Sequence, residues 1–184
     1  MKVLYGGSFN PPTRAHLKIA EKIYEKFDVE EFVFLPTANN YQKPNLAPIC
    51  DRITMLTFIC KHLKNASVSD FEAKISEYKG TSYTLECFPG FYFVMGADNF
   101  DYIEKWINYP EVIIKNKFII VPRDKYDFEK KFKSEYYLNK YRDNFIILDI
   151  EDIDMSASLF RINNDRDLVI DEVYDYIKEH SLYK

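Results

Sequence analysis

Residues 6–16, GGSFNPPTRAH, place two glycines, a threonine and a histidine close together after a short apolar run. Because glycine has no Cβ atom, the backbone at Gly6 and Gly7 can approach a bound group closely. A helix that begins near Thr13 offers unpaired N–H groups and a positive dipole end to an anion. Thr13 and His16 share one face of its first turn, so a hydroxyl and an imidazole can stabilise charge on a phosphate oxygen. The segment therefore predicts phosphate chemistry; the alternative is that Thr13 only caps the helix and His16 packs against a sheet.

A second candidate segment, MSASLFR at residues 155–161, lies near the other end of the chain. Ser158 is expected to cap the following helix, and Arg161 lies three residues later on the same first turn. A helix N-terminus together with a guanidinium group can hold a triphosphate. On its own, the pattern is also explained by a capping serine and a surface arginine. The first segment has neither the spacing of a Walker loop nor that of a dinucleotide-binding fingerprint.

Short apolar runs bounded by turn residues predict the elements that position these segments. Strands are predicted at residues 2–5, 31–35, 68–73, 91–95, 117–121 and 145–148, and helices at about 13–27, 51–63 and 167–180. Strands that alternate with helices indicate an α/β fold, a Rossmann-like doubly wound parallel sheet of five to six strands with helices on both faces. Ligands of such sheets bind outside the carboxyl ends of the strands. The loops after residues 5, 35, 95 and 121 are therefore expected to line the site.

Length, composition and charge narrow the classes of function. With 184 residues, the chain is expected to form a single domain, residues 1–184, with a C-terminal helical portion from about residue 156. The net charge of −4 argues against general electrostatic binding of nucleic acid, and no apolar run reaches the roughly 20 residues of a membrane span. Three cysteines without a CxxC pair and three dispersed histidines argue against a disulfide scaffold or a zinc site. We therefore expect a cytoplasmic protein whose own side chains hold no metal.

The two segments together resemble a known pair of signatures. GGSFNPPTRAH is similar to the (H/T)xGH motif of the nucleotidyltransferase superfamily, with Thr13 and His16 at its two polar positions. MSASLFR, about 140 residues later, is similar to the ISSTxIR motif of the same superfamily. Two positions depart from the pattern: Ala15 stands where glycine is usual, and Asn10 stands where aspartate is common.

The middle of the chain resembles one branch of that superfamily, the nicotinate-nucleotide adenylyltransferases. Residues 82–84 match their SYT motif, and FVMGAD at residues 93–98, followed by Trp106, is similar to their FIIGADxxxxxxxW block. IIVPR at residues 119–123 matches a later strand that ends in arginine. The tail, residues 173–183, is similar to their YIxxHxLY ending. The resemblance thus extends over nearly the whole chain, in order.

The resemblance implies a reaction and a set of site residues. The family transfers AMP from ATP to nicotinate mononucleotide, which yields deamido-NAD and pyrophosphate, with Mg²⁺ carried by the ATP phosphates. The residues implied in catalysis are Thr13, His16 and Arg161. Those implied in ATP binding are Gly6, Gly7, Ser8, Phe9, His16, Gly96, Asp98, Ser158 and Arg161. Those implied in binding the mononucleotide are Lys43, Tyr83, Thr84, Trp106 and Arg123.

Some of these roles have ordinary structural alternatives. Trp106 could pack in the core, where a single tryptophan is often found, instead of stacking on the pyridine ring. Asp98 could be the N-cap of the next helix, and Arg123 could be a surface residue. Lys43 is expected to contact a phosphate, with Arg52 in support from the next helix.

The substrate also has alternatives. Residues 39–44 lack the PPHK string usual in nicotinate-specific bacterial enzymes, and Tyr41-Gln42-Lys43-Pro44 is closer to the matching loop of nicotinamide-mononucleotide enzymes. A nicotinamide-mononucleotide adenylyltransferase is therefore the main alternative, and phosphopantetheine adenylyltransferase is less favoured. A nucleotide sensor without activity is a further alternative, against which the retention of Thr13 and His16 counts. The expected partners are ATP and a mononucleotide, with a homo-oligomer left open and neither nucleic acid nor membrane expected.

Overall fold

Six strands form the predicted parallel sheet. In this computed structural model, which describes residues 1–38, 45–75, 79–123, 126–150 and 157–184, the strands are β1 (Lys2–Gly7), β2 (Glu31–Pro36), β3 (Ala66–Val68), β4 (Phe91–Gly96), β5 (Lys117–Val121) and β6 (Phe145–Ile147). Their order across the sheet is β3-β2-β1-β4-β5-β6. The order runs one way from β1 to β3 and the other way from β4 to β6, as in a doubly wound sheet. The predicted α/β fold class is confirmed.

The helices follow the strands along the chain. They are α1 (Arg14–Lys26), α2 (Ile49–Cys60), α3 (Phe71–Lys74), α4 (Gly80–Cys87), α5 (Ala97–Asp101), α6 (Glu111–Lys115), α7 (Phe128–Ser134), α8 (Tyr136–Lys140), α9 (Ala157–Asn163) and α10 (Asp171–Glu179). Single 3₁₀ turns lie at Ile103–Lys105, Arg142–Asn144 and Arg166–Leu168. None of these helices in the described ranges is long and apolar enough to cross a membrane.

The chain folds into two compact units. The first comprises Met1–Tyr5 and Lys79–Asp152. A row of neighbouring residues crosses its strands, because Leu4 is paired with Phe93, Phe93 with Phe118, and Phe118 with Phe145. All four are buried, and the rings of Phe118 and Phe145 stack with centroids 5.1 Å apart. Aromatic pairs of this kind add to the free energy that burial of the apolar surface supplies.

The second unit comprises Gly6–Tyr78 and Ile153–Lys184. Its core includes β2 and the apolar faces of three helices. The buried residues on those faces are Leu17, Ile19, Ala20 and Ile23 of α1, Met55, Leu56 and Ile59 of α2, and Val173 and Ile177 of α10. The apolar periodicity that predicted the helix at about residues 13–27 therefore identified the face of α1 that packs, and the helix predicted at about residues 51–63 corresponds to α2.

The strand predicted at residues 68–73 is wrong beyond Val68. The N–H of Ser69 donates to the carbonyl of Phe34 at 2.8 Å, and the pairing ends there. The hydroxyl of Ser69 then accepts from the N–H of Phe71 at 3.2 Å, and α3 begins after Asp70. Serine and aspartate favour such local turns over a continued strand, a preference that the sequence analysis overlooked.

The helix predicted at residues 167–180 begins later, at Asp171. Leu168, Val169 and Ile170 are all buried, and three consecutive residues cannot share one helix face. Residues 169 and 170 are accordingly extended between the 3₁₀ turn and α10.

Candidate active site

The loop after β1 is shaped around one buried aromatic ring. A Cβ atom at Gly7 would lie 3.0 Å from the ring of Phe9, so the missing side chain leaves room for that ring. Phe9 is 1% exposed and has a backbone φ of 44°. Its ring contacts the rings of His16 and Phe34 edge-on, with centroids 5.0 and 5.6 Å away. Gly7 therefore allows Phe9 to support His16, a role that sequence reasoning missed. Because the Phe9 side chain is buried, only its backbone is available to contact ATP.

Thr13 and His16 form the start of α1. Thr13 is the N-cap, and the Nδ1 atom of His16 lies 2.9 Å from both the backbone nitrogen and the hydroxyl of Thr13. A backbone N–H can only donate, so Nδ1 accepts, and the neutral ring carries its proton on Nε2. Burial lowers the pKa of His16 from 6.5 to about 4. The ring is therefore neutral at pH 7, with Nε2–H as a donor.

Arg52, in α2, supports this loop through buried hydrogen bonds. It is 0% exposed, and its Nη1 and Nε atoms donate to the carbonyls of Ser8 and Ala47, each at 2.9 Å. A guanidinium group with two such bonds fixes two loops relative to one another. The sequence predicts that Arg52 supports a phosphate contact. In the structure its buried side chain instead holds the loop in place, a role that we call a brace.

Arg161 links the two segments singled out in the sequence. Its Nη1 donates to the backbone carbonyl of Asn10 at 2.5 Å, and its Nη2 donates to the hydroxyl of Ser158 at 3.0 Å. Both Arg161 and Ser158 are exposed, and a guanidinium group has five N–H donors, so it can bind an anion while keeping these two bonds. Ser158 is the second residue of α9 rather than its cap.

The other unit carries a second group of predicted site residues at the ends of β4 and β5. Gly96 ends β4, and a Cβ atom there would meet no atom within 4 Å. Asp98, in the first turn of α5, accepts a hydrogen bond from Arg123 at 2.7 Å, and both side chains are largely exposed. The alternative that Asp98 is an N-cap is wrong, since Gly96 occupies that position.

The residues expected near the pyridine ring differ in exposure. Thr84 is 2% exposed in α4, whereas Tyr83 is half-buried with the ammonium of Lys79 4.7 Å from its ring centroid. Trp106 is half-buried and meets Phe93 and Phe118 edge-on, with centroids 6.2 and 6.3 Å away. Its contact with the sheet agrees with the core-packing alternative and leaves part of the ring accessible.

Two further observations concern Lys43 and the binding of metal. Lys43 lies outside the described residues, together with the rest of residues 39–44. Among the residues that the structure does describe, no three histidine, cysteine, aspartate or glutamate side chains lie where they could hold a metal ion together.

Sequence reasoning missed two residues that hold the first loop in place through hydrogen bonds, Asn10 and Tyr183. Asn10 is 3% exposed and makes hydrogen bonds through its side chain and its carbonyl. Tyr183 also bonds to Asn10, at 2.8 Å. The only signals in the sequence were the departure at Asn10 and the tail pattern that contains Tyr183, and neither indicates a partner.

Comparison with known proteins agrees with this arrangement. The cytidylyltransferase-like family model matches residues 4–163. The probable nicotinate-nucleotide adenylyltransferase of Clostridium acetobutylicum is 34% identical over 199 residues, covering 99% of this chain and 98% of the relative. The protein of the same description from Acholeplasma laidlawii is 32% identical over 189 residues, covering 100% of this chain and 98% of the relative.

The fold is also shared with solved structures. Plasmodium falciparum nicotinic acid mononucleotide adenylyltransferase, complexed with APC, superposes with a TM-score of 0.76 at 22% identity, covering 99% of this chain and 96% of that chain. The complex of the same enzyme with NaAD has a TM-score of 0.76 at 23% identity, with the same coverage. The two signature segments, the fold and these relatives agree. The chain belongs to the cytidylyltransferase-like family of nucleotidyltransferases and, within it, to the nicotinate-nucleotide adenylyltransferases.

Proposed function

We propose that this enzyme transfers AMP from ATP to nicotinate mononucleotide, forming deamido-NAD and pyrophosphate in NAD biosynthesis. The observation that carries the proposal is the hydrogen bond between Arg161 and Asn10, because it joins the two segments that this chemistry needs. The names of the curated relatives support the same reaction. We also propose that residues 1–184 act as one nucleotidyltransferase domain; the family match over residues 4–163 supports this.

The transfer is a substitution at phosphorus. An oxygen of the 5′-phosphate of the mononucleotide attacks the α-phosphorus of ATP, and the new P–O bond forms. The bond from the α-phosphorus to the oxygen that bridges to the β-phosphorus breaks, and pyrophosphate leaves with that electron pair. The attacking phosphate is already an anion, so no general base is needed. Positioning and charge stabilisation supply the rate enhancement.

Residues of the loop after β1, of α1 and of α9 are proposed to hold the phosphates. The Nε2–H of neutral His16 donates to an oxygen on the α-phosphorus, and Thr13 holds the ring by its contact with Nδ1. Arg161 and Ser158 bind the β- and γ-phosphates, since exposed guanidinium N–H groups remain for them. The backbone of residues 6–9 lies against the triphosphate. A donor that meets the charge developing in the transition state is typically worth about 10²–10³ in rate.

Mg²⁺ is proposed to arrive on the ATP phosphates. This ion usually keeps several waters and binds substrate phosphates with few protein ligands. Bound there, it neutralises part of the phosphate charge. The chain's own contribution is then to orient the phosphates through Thr13, His16, Ser158 and Arg161.

Residues that follow β4 and β5 are proposed to bind the nucleoside parts. The open space at Gly96 admits the adenosine ribose, and Asp98 accepts a hydrogen bond from one of its hydroxyls. Arg123, paired with Asp98, contacts the mononucleotide. Trp106 stacks on the pyridine ring, with Tyr83 and Thr84 beside its carboxylate. Lys43 is proposed as a further phosphate contact.

The test is pyrophosphate release from ATP and Mg²⁺, measured in parallel with nicotinate mononucleotide and nicotinamide mononucleotide. Release at least tenfold faster with the acid is expected. Faster release with the amide would reverse the substrate and keep the chemistry, and release with neither would contradict the proposed reaction.

A cytoplasmic location remains part of the proposal. The free thiols of Cys50, Cys60 and Cys87 support it.

A further inference from the structure

The C-terminal tail turns back after α10. Ser181 has a left-handed φ of 55°, and the N–H of Leu182 donates to the carbonyl of Ile177 at 3.0 Å. This pattern of bonds ends a helix and reverses the chain. The side chain of Tyr183 is thereby brought to the first loop, and its ring meets that of Phe160 edge-on at 6.2 Å.

Tyr183 donates its hydroxyl hydrogen bond to Oδ1 of Asn10 at 2.8 Å. The same oxygen accepts from the N–H of Ala47 at 2.9 Å, and Nδ2 of Asn10 donates to the carbonyl of Asn45 at 3.0 Å. A backbone N–H can only donate and a carbonyl can only accept, so these partners determine which way the amide faces. Asn10 is 3% exposed, so each bond is made where water cannot easily replace it.

The backbone carbonyl of this same Asn10 receives the hydrogen bond from Arg161. A side chain held at three points restricts the orientation of its own peptide, and that peptide orients the guanidinium group. Arg161 and Tyr183 also line one open cavity of about 490 Å³, together with Ala47, Pro48 and the chain end at Lys184. Burial raises the pKa of Tyr183 well above its ordinary value, so its hydroxyl keeps the proton it donates.

We propose that Tyr183 and Asn10 are positioning residues that hold Arg161 in the direction required for the triphosphate of ATP. The inference rests on the proposed function, in which Arg161 binds the β- and γ-phosphates. It also assigns a role to the tail pattern at residues 173–183: Tyr183 holds Asn10, and Asn10 orients Arg161.

The test compares two tyrosine hydroxyls of the C-terminal region. Tyr183→Phe removes the bond to Asn10 and keeps the ring. Tyr176→Phe is the matched control, because its hydroxyl donates to Asp51 at 2.8 Å and ties α10 to α2 without contacting the first loop. We expect Tyr183→Phe to raise KM for ATP about threefold to tenfold, the value of one hydrogen bond, while KM for the mononucleotide changes less than twofold. Equal effects of the two variants, or an unchanged KM for ATP, would overturn the proposal.

A double-mutant cycle separates positioning from general loosening of the tail. If Tyr183 acts through Arg161, Tyr183→Phe has little further effect on ATP affinity in an Arg161→Ala background. If the two losses multiply independently, the hydroxyl only stabilises the fold and the inference is wrong. Thermal unfolding of each variant shows whether the protein is folded when affinity is measured.

Direct calorimetric binding of ATP with Mg²⁺, without acceptor, distinguishes failure of this inference from failure of the proposed reaction. Wild-type protein that binds ATP but releases no pyrophosphate would contradict the reaction, and the affinity of Tyr183→Phe would still decide the role of the tail. Wild-type protein that does not bind ATP would overturn both.

Discussion

The guanidinium group of Arg161 donates to the backbone carbonyl of Asn10 at 2.5 Å, although 151 residues separate them in the chain. The bond joins the last turn of α9 to the loop that leads into α1. On its own, MSASLFR at residues 155–161 is a weak signal, because a capped helix with a nearby arginine is common. The contact brings the two segments together, which supports the proposed phosphate site.

His16 is expected to dominate the rate of the transfer. We predict that His16→Ala lowers kcat about 10²–10³-fold, because the Nε2–H donor to the transition state is lost. Steady-state pyrophosphate release measures it. His62→Ala is the control, since His62 is exposed beside Glu172 and outside the site, and it should keep the wild-type rate. A wild-type rate in His16→Ala would remove His16 from the mechanism.

The same histidine makes stability depend on pH. Burial lowers its pKa to about 4 in the folded protein, against an unfolded value of about 6.5, so the unfolded state binds more protons between these values. Stability from His16 is therefore fully present above about pH 6.5 and is lost as the pH falls towards 4. Urea unfolding at pH 7, 6 and 5 should show a steeper loss for wild type than for His16→Ala. Parallel curves for the two proteins would mean that His16 titrates normally.

Two glycines should respond differently to the same substitution. Gly7→Ala places a Cβ atom 3.0 Å from the Phe9 ring, so we expect a loss of about 1–3 kcal/mol in unfolding free energy and a slower enzyme, as Phe9 shifts against His16. Gly96→Ala meets no atom within 4 Å, so stability should stay within about 0.5 kcal/mol of wild type.

The Gly96→Ala and Gly7→Ala variants also test whether the adenosine ribose binds at Gly96. If the adenosine ribose lies against Gly96, Gly96→Ala raises KM for ATP at unchanged stability. An unchanged KM would place the ribose elsewhere, and a stable, fully active Gly7→Ala would show that Phe9 does not support His16.

Arg52 is expected to matter for the fold more than for the substrate. Arg52→Met removes the donors to the carbonyls of Ser8 and Ala47 and leaves both without that partner. We predict a loss of about 2–4 kcal/mol in unfolding free energy, measured by urea denaturation. Arg166→Met is the control: Arg166 is exposed and pairs with Asp171, so little change is expected. Equal effects of the two substitutions would contradict the role of Arg52 as a brace.

Much of the architecture could be predicted because it depends on local patterns. Apolar runs at residues 2–5, 91–95 and 117–121 are strands, and the apolar face of residues 13–27 packs as α1. The errors came where local hydrogen bonding competes with periodicity. Ser69 and Asp70 turn the chain after Val68, and three consecutive buried residues delay α10 to Asp171.

By itself the sequence determined the succession of six strands, the helices α1, α2 and α10 and the family, since each depends on residue type and spacing along the chain. It also predicted phosphate chemistry for residues 6–16. Only the tertiary structure decided that Gly7 makes room for Phe9 and that Arg52 is a brace. It also decided that Tyr183 holds the residue to which Arg161 bonds. The physical reason is that Arg52, Tyr183 and Arg161 meet residues far apart from them in the chain. Gly7 and Phe9 are neighbours in sequence, but they meet through a backbone conformation that residue spacing does not specify. A sequence pattern records which groups can donate and accept, whereas folding selects which of them meet.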